Sequence, residues 1–224
     1  EGASLEANKG AYSYAWMIIF AVIAAIMVLI GLYHIRMLPS NQIPSTTKKP
    51  ASEVGHELVA VIANFFTKKH IFYYICFIIL YRLAEGFIMK IAPLFLRASR
   101  EVGGLGLSLK EIGTLNGVFG SAAFVLGSLL AGIYVSKFGL KRTLFTLCCI
   151  FNLPFVAYTF LAVTQPTNVY LIGTCITMEY FGYGFGFVGL TLFMMQQIAP
   201  GKHQMSHYAF ASGIMNLGVM LPGM

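Results

Sequence analysis

Six stretches of this chain are each long and apolar enough to cross a bilayer as a helix, and that property leaves its fold little freedom. A spanning helix needs about 20 mostly apolar residues. The stretches run from Tyr14 to Ile35, Ile71 to Leu96, Leu109 to Val135, Thr143 to Val163 and Val169 to Gln196, with a sixth from Met205 to the last residue, Met224. Inside lipid every backbone polar group must be paired within its own segment, so helices are expected throughout. Only 10% of the residues are charged, against 58% hydrophobic. A soluble domain carries about 25% charged residues, which excludes that class. The expected fold is all-α: a polytopic membrane bundle, represented in part by about six transmembrane helices.

The second run carries an anomaly. Arg82 and Glu85 stand three residues apart near its middle. A charge at a helix centre costs about 2.5–3.5 kcal/mol on insertion scales, so such groups pair with each other or line a water-filled path. Glu179 holds a similar position in the fifth run, one turn before Gly182, Gly184, Gly186 and Gly189. These groups point to a transporter pathway. A plainer reading is open for each: a self-neutralising pair that fixes bundle register, and a protonated Glu179 bonded to a neighbouring helix. Asn116 either lines the path or bridges two helices. Tyr180 and Tyr183 flank Glu179 and offer aromatic surface to a sugar ring, whereas Tyr73, Tyr74 and Tyr81 read equally well as packing or interface tyrosines.

Between the first two runs, Pro39 to Ser52 reads as a polar linker. Val54, Leu58, Val61, Ile62 and Phe65 then share one helical face, closed by Lys68 and Lys69. That spacing predicts a short amphipathic helix along the membrane surface or against the bundle. If the spans alternate, Arg36, Lys48, Lys49, Lys68, Lys69, Lys137, Lys141, Arg142 and Lys202 fall on one side and Lys9, Arg97, Arg100 and Lys110 on the other. The first set is the larger and marks the cytoplasmic face. The net charge of +7 therefore records orientation, and no nucleic-acid partner is expected. Pro93 and Pro154 predict bends, while Gly113/Gly117 and Gly182/Gly186 predict close helix approach.

Several chemistries are set aside. Gly184-Phe-Gly186-Phe-Val-Gly189 matches a dinucleotide fingerprint, but it lies within a spanning helix with no strand before it. Cys76, Cys148, Cys149 and Cys175 sit in spans without metal or disulfide spacing. His203 and His207 lack a third ligand. No metal, cofactor or enzyme activity is expected, since no nucleophile–base set is present.

The connection Gly132-Ile-Tyr-Val-Ser136-Lys137-Phe-Gly139-Leu-Lys141-Arg142 is a tight basic hairpin. It resembles the loop signature of the major facilitator superfamily, in which Gly, an acidic residue, a second Gly and paired basic residues recur. Ser136 stands at the acidic position, which implies that the charge lock of the signature is weakened or made differently here. Tyr81-Arg82-Leu83-Ala84-Glu85-Gly86-Phe87, the Leu107 to Asn116 stretch and Met178-Glu179-Tyr180-Phe-Gly-Tyr183-Gly184 resemble the seventh, eighth and tenth helices of AmpG-type muropeptide permeases. Acetyl-coenzyme A carriers share the layout. The resemblance implies that residues 1–38 hold the last helix of an N-terminal half, 39–69 a cytoplasmic linker and 70–224 a truncated C-terminal half. The remaining N-terminal half of the same chain would be a partner, and both ends read as cut.

On that resemblance Arg82, Glu85 and Glu179 would face one cavity within inverted repeats. The implied function is proton-coupled import of anhydro-muramyl sugar-peptides across a bacterial inner membrane, with the lipid bilayer and protons as further partners. Arg82 would bind a substrate carboxylate or hold Glu85, and the two glutamates would carry protons. The alternatives are a carrier of another cargo, such as an acyl-coenzyme A, a sugar or a drug, and a non-transporting scaffold or signalling subunit.

Overall fold

The structure, a computed structural model, describes residues 2–37 and 51–224. Most of the expected linker, with Lys48 and Lys49, lies outside the described residues. The chain divides into two compact units, residues 1–50 and 51–224. The first contains one continuous helix, α1 (Gly2–Met37), with His34 and Arg36 in its last turn. Cations there complement the negative end of the helix dipole. The portion from Tyr12 to Met37 is the most apolar of the membrane-length helices, its mean hydropathy reaching 2.8.

The described part of the second unit is likewise helical. It comprises α2 (Ala51–Phe66), α3 (Ile71–Arg97), α4 (Leu109–Ile112), α5 (Ser121–Phe138), α6 (Leu140–Asn152), α7 (Phe155–Thr164), α8 (Val169–Phe193) and α9 (Gln204–Met220). A π-helical segment, Gly113–Gly120, joins α4 to α5, so the three form one rod from Leu109 to Phe138. Another π segment, Met194–Ile198, prolongs α8. Neither π segment was legible in the apolar pattern. The α6–α7 rod breaks at Leu153 and Pro154, as expected for a residue without an N–H, whereas α3 continues through Pro93.

Four described stretches are long and apolar enough to span a membrane: Tyr12–Met37, Ile71–Arg97, Leu109–Phe138 and Leu140–Thr164. The other two expected spans fall short, α9 because it has 17 residues and α8 because Glu179, its tyrosines and its glycines dilute its apolar character. The packing explains why α8 tolerates this. It is the central helix, lying against α5, α6, α7 and the first π segment, so protein rather than lipid surrounds much of it. Ile172, Ile176, Leu190 and Met194 join two neighbouring cores, one of them built around Phe151 and Leu147 from α6. The α3 and α9 helices form a second close pair.

Glycines set these distances. A Cβ on Gly184 would fall 2.9 Å from the Cα of Phe124 in α5, with the Phe124 carbonyl oxygen nearer still. Gly182 admits Pro154, whose Cγ would be 2.5 Å from such a Cβ, and Gly186 admits Phe151. The expected Gly182/Gly186 contact is therefore present. The expected Gly113/Gly117 contact is not: nothing among the described residues comes within 4 Å of a Cβ at either position. Both lie in the π segment on an exposed face, turned away from the helices that pack against it.

Side chains tie both ends of the bundle. At one end Lys68 donates to the carbonyls of Ile198 and, at 2.8 Å, Pro200, closing the last turn of the π segment beyond α8. Burial at that contact lowers the Lys68 ammonium from the usual lysine value. Phe65 of α2 is fully buried against His207 and Phe210 of α9, and His207 Nε2 faces the Val61 carbonyl at 3.4 Å. The C-terminal turns of the amphipathic helix thus dock on the bundle, while Leu58 and Val59 remain exposed. At the other end Arg100 forks onto the carbonyls of Gln165 (2.9 Å) and Pro166 (2.8 Å), and Gln165 returns a bond to Gly103 at 2.9 Å.

Candidate functional site

Arg82 and Glu85 project from the same face of α3, one turn apart, and pair at 2.5 Å between Nη1 and Oε2. They are 5% and 2% exposed. The pair sits where α3 is squeezed from two sides. Gly86 admits the Val219 backbone and Pro222 of the chain following α9, while Gly218 of α9 admits the backbone of Ile79. On the α8 side the Tyr81 hydroxyl donates to the Gly186 carbonyl at 2.9 Å, a buried bond. That bond ties α3 to the glycine-rich half of α8 immediately beside the ion pair.

Two aromatic rings of α8 then receive the guanidinium. The Arg82 Cζ lies 5.7 Å from the Tyr183 ring centroid and 5.4 Å from that of Phe187. Both are within the range of a cation–π contact, which gains strength where water is excluded. Beyond the ion pair, Arg82 Nε and Glu85 Oε1 are buried with no well-aligned hydrogen bond, while the Tyr183 hydroxyl lies close to both side chains. A buried polar group left unbonded costs about 1–3 kcal/mol, and more when charged. The pair therefore holds donor and acceptor capacity beyond its own salt bridge, with the Tyr183 hydroxyl beside it, a chemistry suited to a polar or ionised ligand.

Glu179 of α8 is 7% exposed and lies one turn before Tyr183. It is close enough to Glu85 for the two carboxyls to interact electrostatically, and Tyr158 of α7 lies within the same electrostatic reach. The structure thus brings Arg82, Glu85, Glu179 and Tyr183 together. Tyr180 is turned toward another neighbour: its ring fills the space that a Cβ on Gly120 would occupy, 2.9 Å from the ring Cγ. Asn116, on the first π segment, is half-buried with its Oδ1 unbonded.

The basic hairpin turns at Gly139, whose φ of 77° selects glycine, and Thr143 bonds back to its carbonyl at 3.0 Å. Lys141 and Arg142 are exposed there, and Gly132 is half-buried upstream. The Ser136 hydroxyl donates to the Ile133 carbonyl of its own helix at 3.2 Å. A serine spent in this way supplies no charge to a lock across the loop. Two neighbours of the site escaped the sequence reading, Phe187 and Tyr158. The four-residue spacing from Tyr183 could have found Phe187; nothing in the sequence links Tyr158 to Glu179.

A buried ion pair and a second buried carboxyl, held in a bundle of membrane-length helices, define a multi-pass membrane protein of the transporter class. Residues 9–224 match the Major Facilitator Superfamily, and the chain belongs to that family. It is 23% identical over 180 residues to the anhydromuropeptide permease of Escherichia coli (strain K12), covering 80% of this chain and 35% of the relative. The protein of that name from Escherichia coli O157:H7 gives the same figures. The chain spans about a third of the length of these curated relatives. No solved structure matches it. Membership places the chain among transporters rather than enzymes.

Proposed function

We propose that this chain is the central and C-terminal part of a proton-coupled carrier that imports anhydro-muramyl sugar-peptides across a bacterial inner membrane. In this reading α1 is the last helix of an N-terminal half, residues 39–69 form the cytoplasmic linker with its docked helix, and residues 70–224 belong to the C-terminal half. The observation that carries it is the Arg82–Glu85 pair, buried yet holding donor and acceptor capacity beyond its own salt bridge, with Glu179 in electrostatic reach. Arg82 binds a substrate carboxylate, Tyr183 and Phe187 supply aromatic surface, and Asn116 and Tyr180 contribute outer contacts. Glu85 and Glu179 exchange protons with the two sides in turn. The names of the two curated relatives support this cargo.

The test is uptake into vesicles containing the full-length protein, with an acidic exterior imposed. Labelled anhydro-muropeptide is compared with an acyl-coenzyme A, a hexose and a cationic drug. The proposal expects gradient-dependent accumulation of the muropeptide alone. Accumulation of another cargo in its place refutes the substrate, and uptake indifferent to the gradient refutes proton coupling.

A further inference from the structure

A cleft of about 780 Å³ opens between residues 108–119 and the first turns of α8, within the usual range for small-molecule sites. It is separate from the ion-pair site. Thr174 and Met178 line it, and each precedes one of the rings around Arg82, Tyr183 and Phe187, by nine residues. Nine residues are two and a half helical turns, so the cleft opens on the side of α8 opposite the guanidinium.

The polar groups of its wall are already engaged. Thr114, Thr174 and Thr177 donate to the carbonyls of Lys110, Tyr170 and Gly173 at 2.9, 2.9 and 2.7 Å. The Glu111 carboxylate accepts from the backbone and hydroxyl of Ser108 at 2.8 and 2.7 Å. What remains for an incoming ligand is an apolar wall of Leu115, Phe119 and Met178, with the exposed Lys110 ammonium lining the same cleft beside Glu111, whose carboxylate is turned to Ser108. Lys110 has no counter-ion among the described residues. Lys110 stands at the start of the membrane-length rod Leu109–Phe138, at the end opposite Lys137, Lys141 and Arg142. A bilayer crossed by that rod places the wall at acyl-chain depth and the cation at headgroup depth.

We propose that this cleft binds one chain of an anionic phospholipid, with the lipid phosphate on Lys110 and the acyl chain along Leu115, Phe119 and Met178. A sugar-peptide finds few open polar partners there. The site is independent of the cargo proposed above.

The experiment uses purified full-length protein, with native mass spectrometry after exchange into phosphatidylglycerol or phosphatidylethanolamine. Wild type retains a phosphatidylglycerol adduct in preference to phosphatidylethanolamine. Lys110→Gln lowers that preference about five-fold, the factor equivalent to about 1 kcal/mol for one lysine near an anionic surface, and Lys110→Arg keeps it. Thr174→Trp, which fills the cleft, removes the adduct. A photo-crosslinking amino acid at position 178 labels lipid. Unchanged preference in Lys110→Gln, or crosslinking of position 178 to polypeptide, overturns the proposal. Should Thr174→Trp fail to fold, Lys110→Gln, an exposed substitution, and the crosslink decide the matter.

Discussion

Gly184→Ala tests the packing that holds the candidate site together. The added methyl would lie 2.9 Å from the Cα and carbonyl carbon of Phe124, with the carbonyl oxygen closer. The obstacle is backbone, so no rotamer change relieves it, and α5 and α8 must move apart. Overpacking of this kind costs about 1–3 kcal/mol. Separation also weakens the Ser128 hydroxyl bond to the Gly184 carbonyl, now 3.1 Å, an interhelical bond of a type averaging about 0.6 kcal/mol in membranes. Against this stands the gain from replacing glycine by alanine in a helix, about 1 kcal/mol at most. The balance is a loss of about 1–2 kcal/mol, on the order of a ten-fold shift in the folded-to-unfolded ratio. Gly117→Ala is the control: nothing among the described residues lies within 4 Å of its new methyl, so it is neutral or slightly stabilising. Reversible unfolding of the full-length protein in mixed micelles, followed by circular dichroism, gives both values. Equal stability of Gly184→Ala and wild type, or a larger loss in Gly117→Ala, would refute the close α5–α8 contact.

Other substitutions probe the site and its supports. Tyr81→Phe removes the bond to the Gly186 carbonyl and costs about 0.5–1.5 kcal/mol in the same unfolding assay; no loss would mean that the bond does not tie α3 to α8. Arg82→Leu strands a buried carboxylate and costs about 3–5 kcal/mol, whereas Arg82→Leu/Glu85→Leu recovers most of that stability yet transports nothing. Uptake by the folded double variant would assign the pair a purely structural role. Arg100→Ala frees the clamp between the two connecting loops, so hydrogen exchange rises in residues 99–107 and 164–168 without a change in α8; unchanged exchange there would count against the clamp.

The expensive residues were legible in the sequence because charge at membrane depth stands out against an apolar background. Arg82 and Glu85 needed only their three-residue spacing to be read as a pair, and the structure closes that pair. The link from Glu179 to this pair came through family resemblance, because helix order in space is not encoded in any one helix. Tyr81 read equally as a packing or an interface tyrosine, since a hydroxyl's partner 105 residues away leaves no local trace. The π segments escaped for a related reason. Gly113 to Gly120 has the composition of any small-residue helix, and nothing in its apolar pattern marks the wider turn of the segment that packs against α8. The expected Gly113/Gly117 contact failed because spacing alone does not say which face of a small-residue helix meets a neighbour, and here that face is exposed. In α8, by contrast, the glycines were correctly read as approach points because that central helix has neighbours on several sides.

The proposed function has Glu85 and Glu179, beside Arg82, coupling substrate movement to protons. Its most direct measurement compares two modes of transport in Glu85→Gln and Glu179→Gln vesicles: accumulation driven by an imposed pH gradient, and exchange of labelled for unlabelled substrate without one. Each variant is expected to lose gradient-driven accumulation while at least one retains exchange, which shows a folded, substrate-binding carrier. Full gradient-driven accumulation in both variants would rule out these two carboxyls as proton carriers.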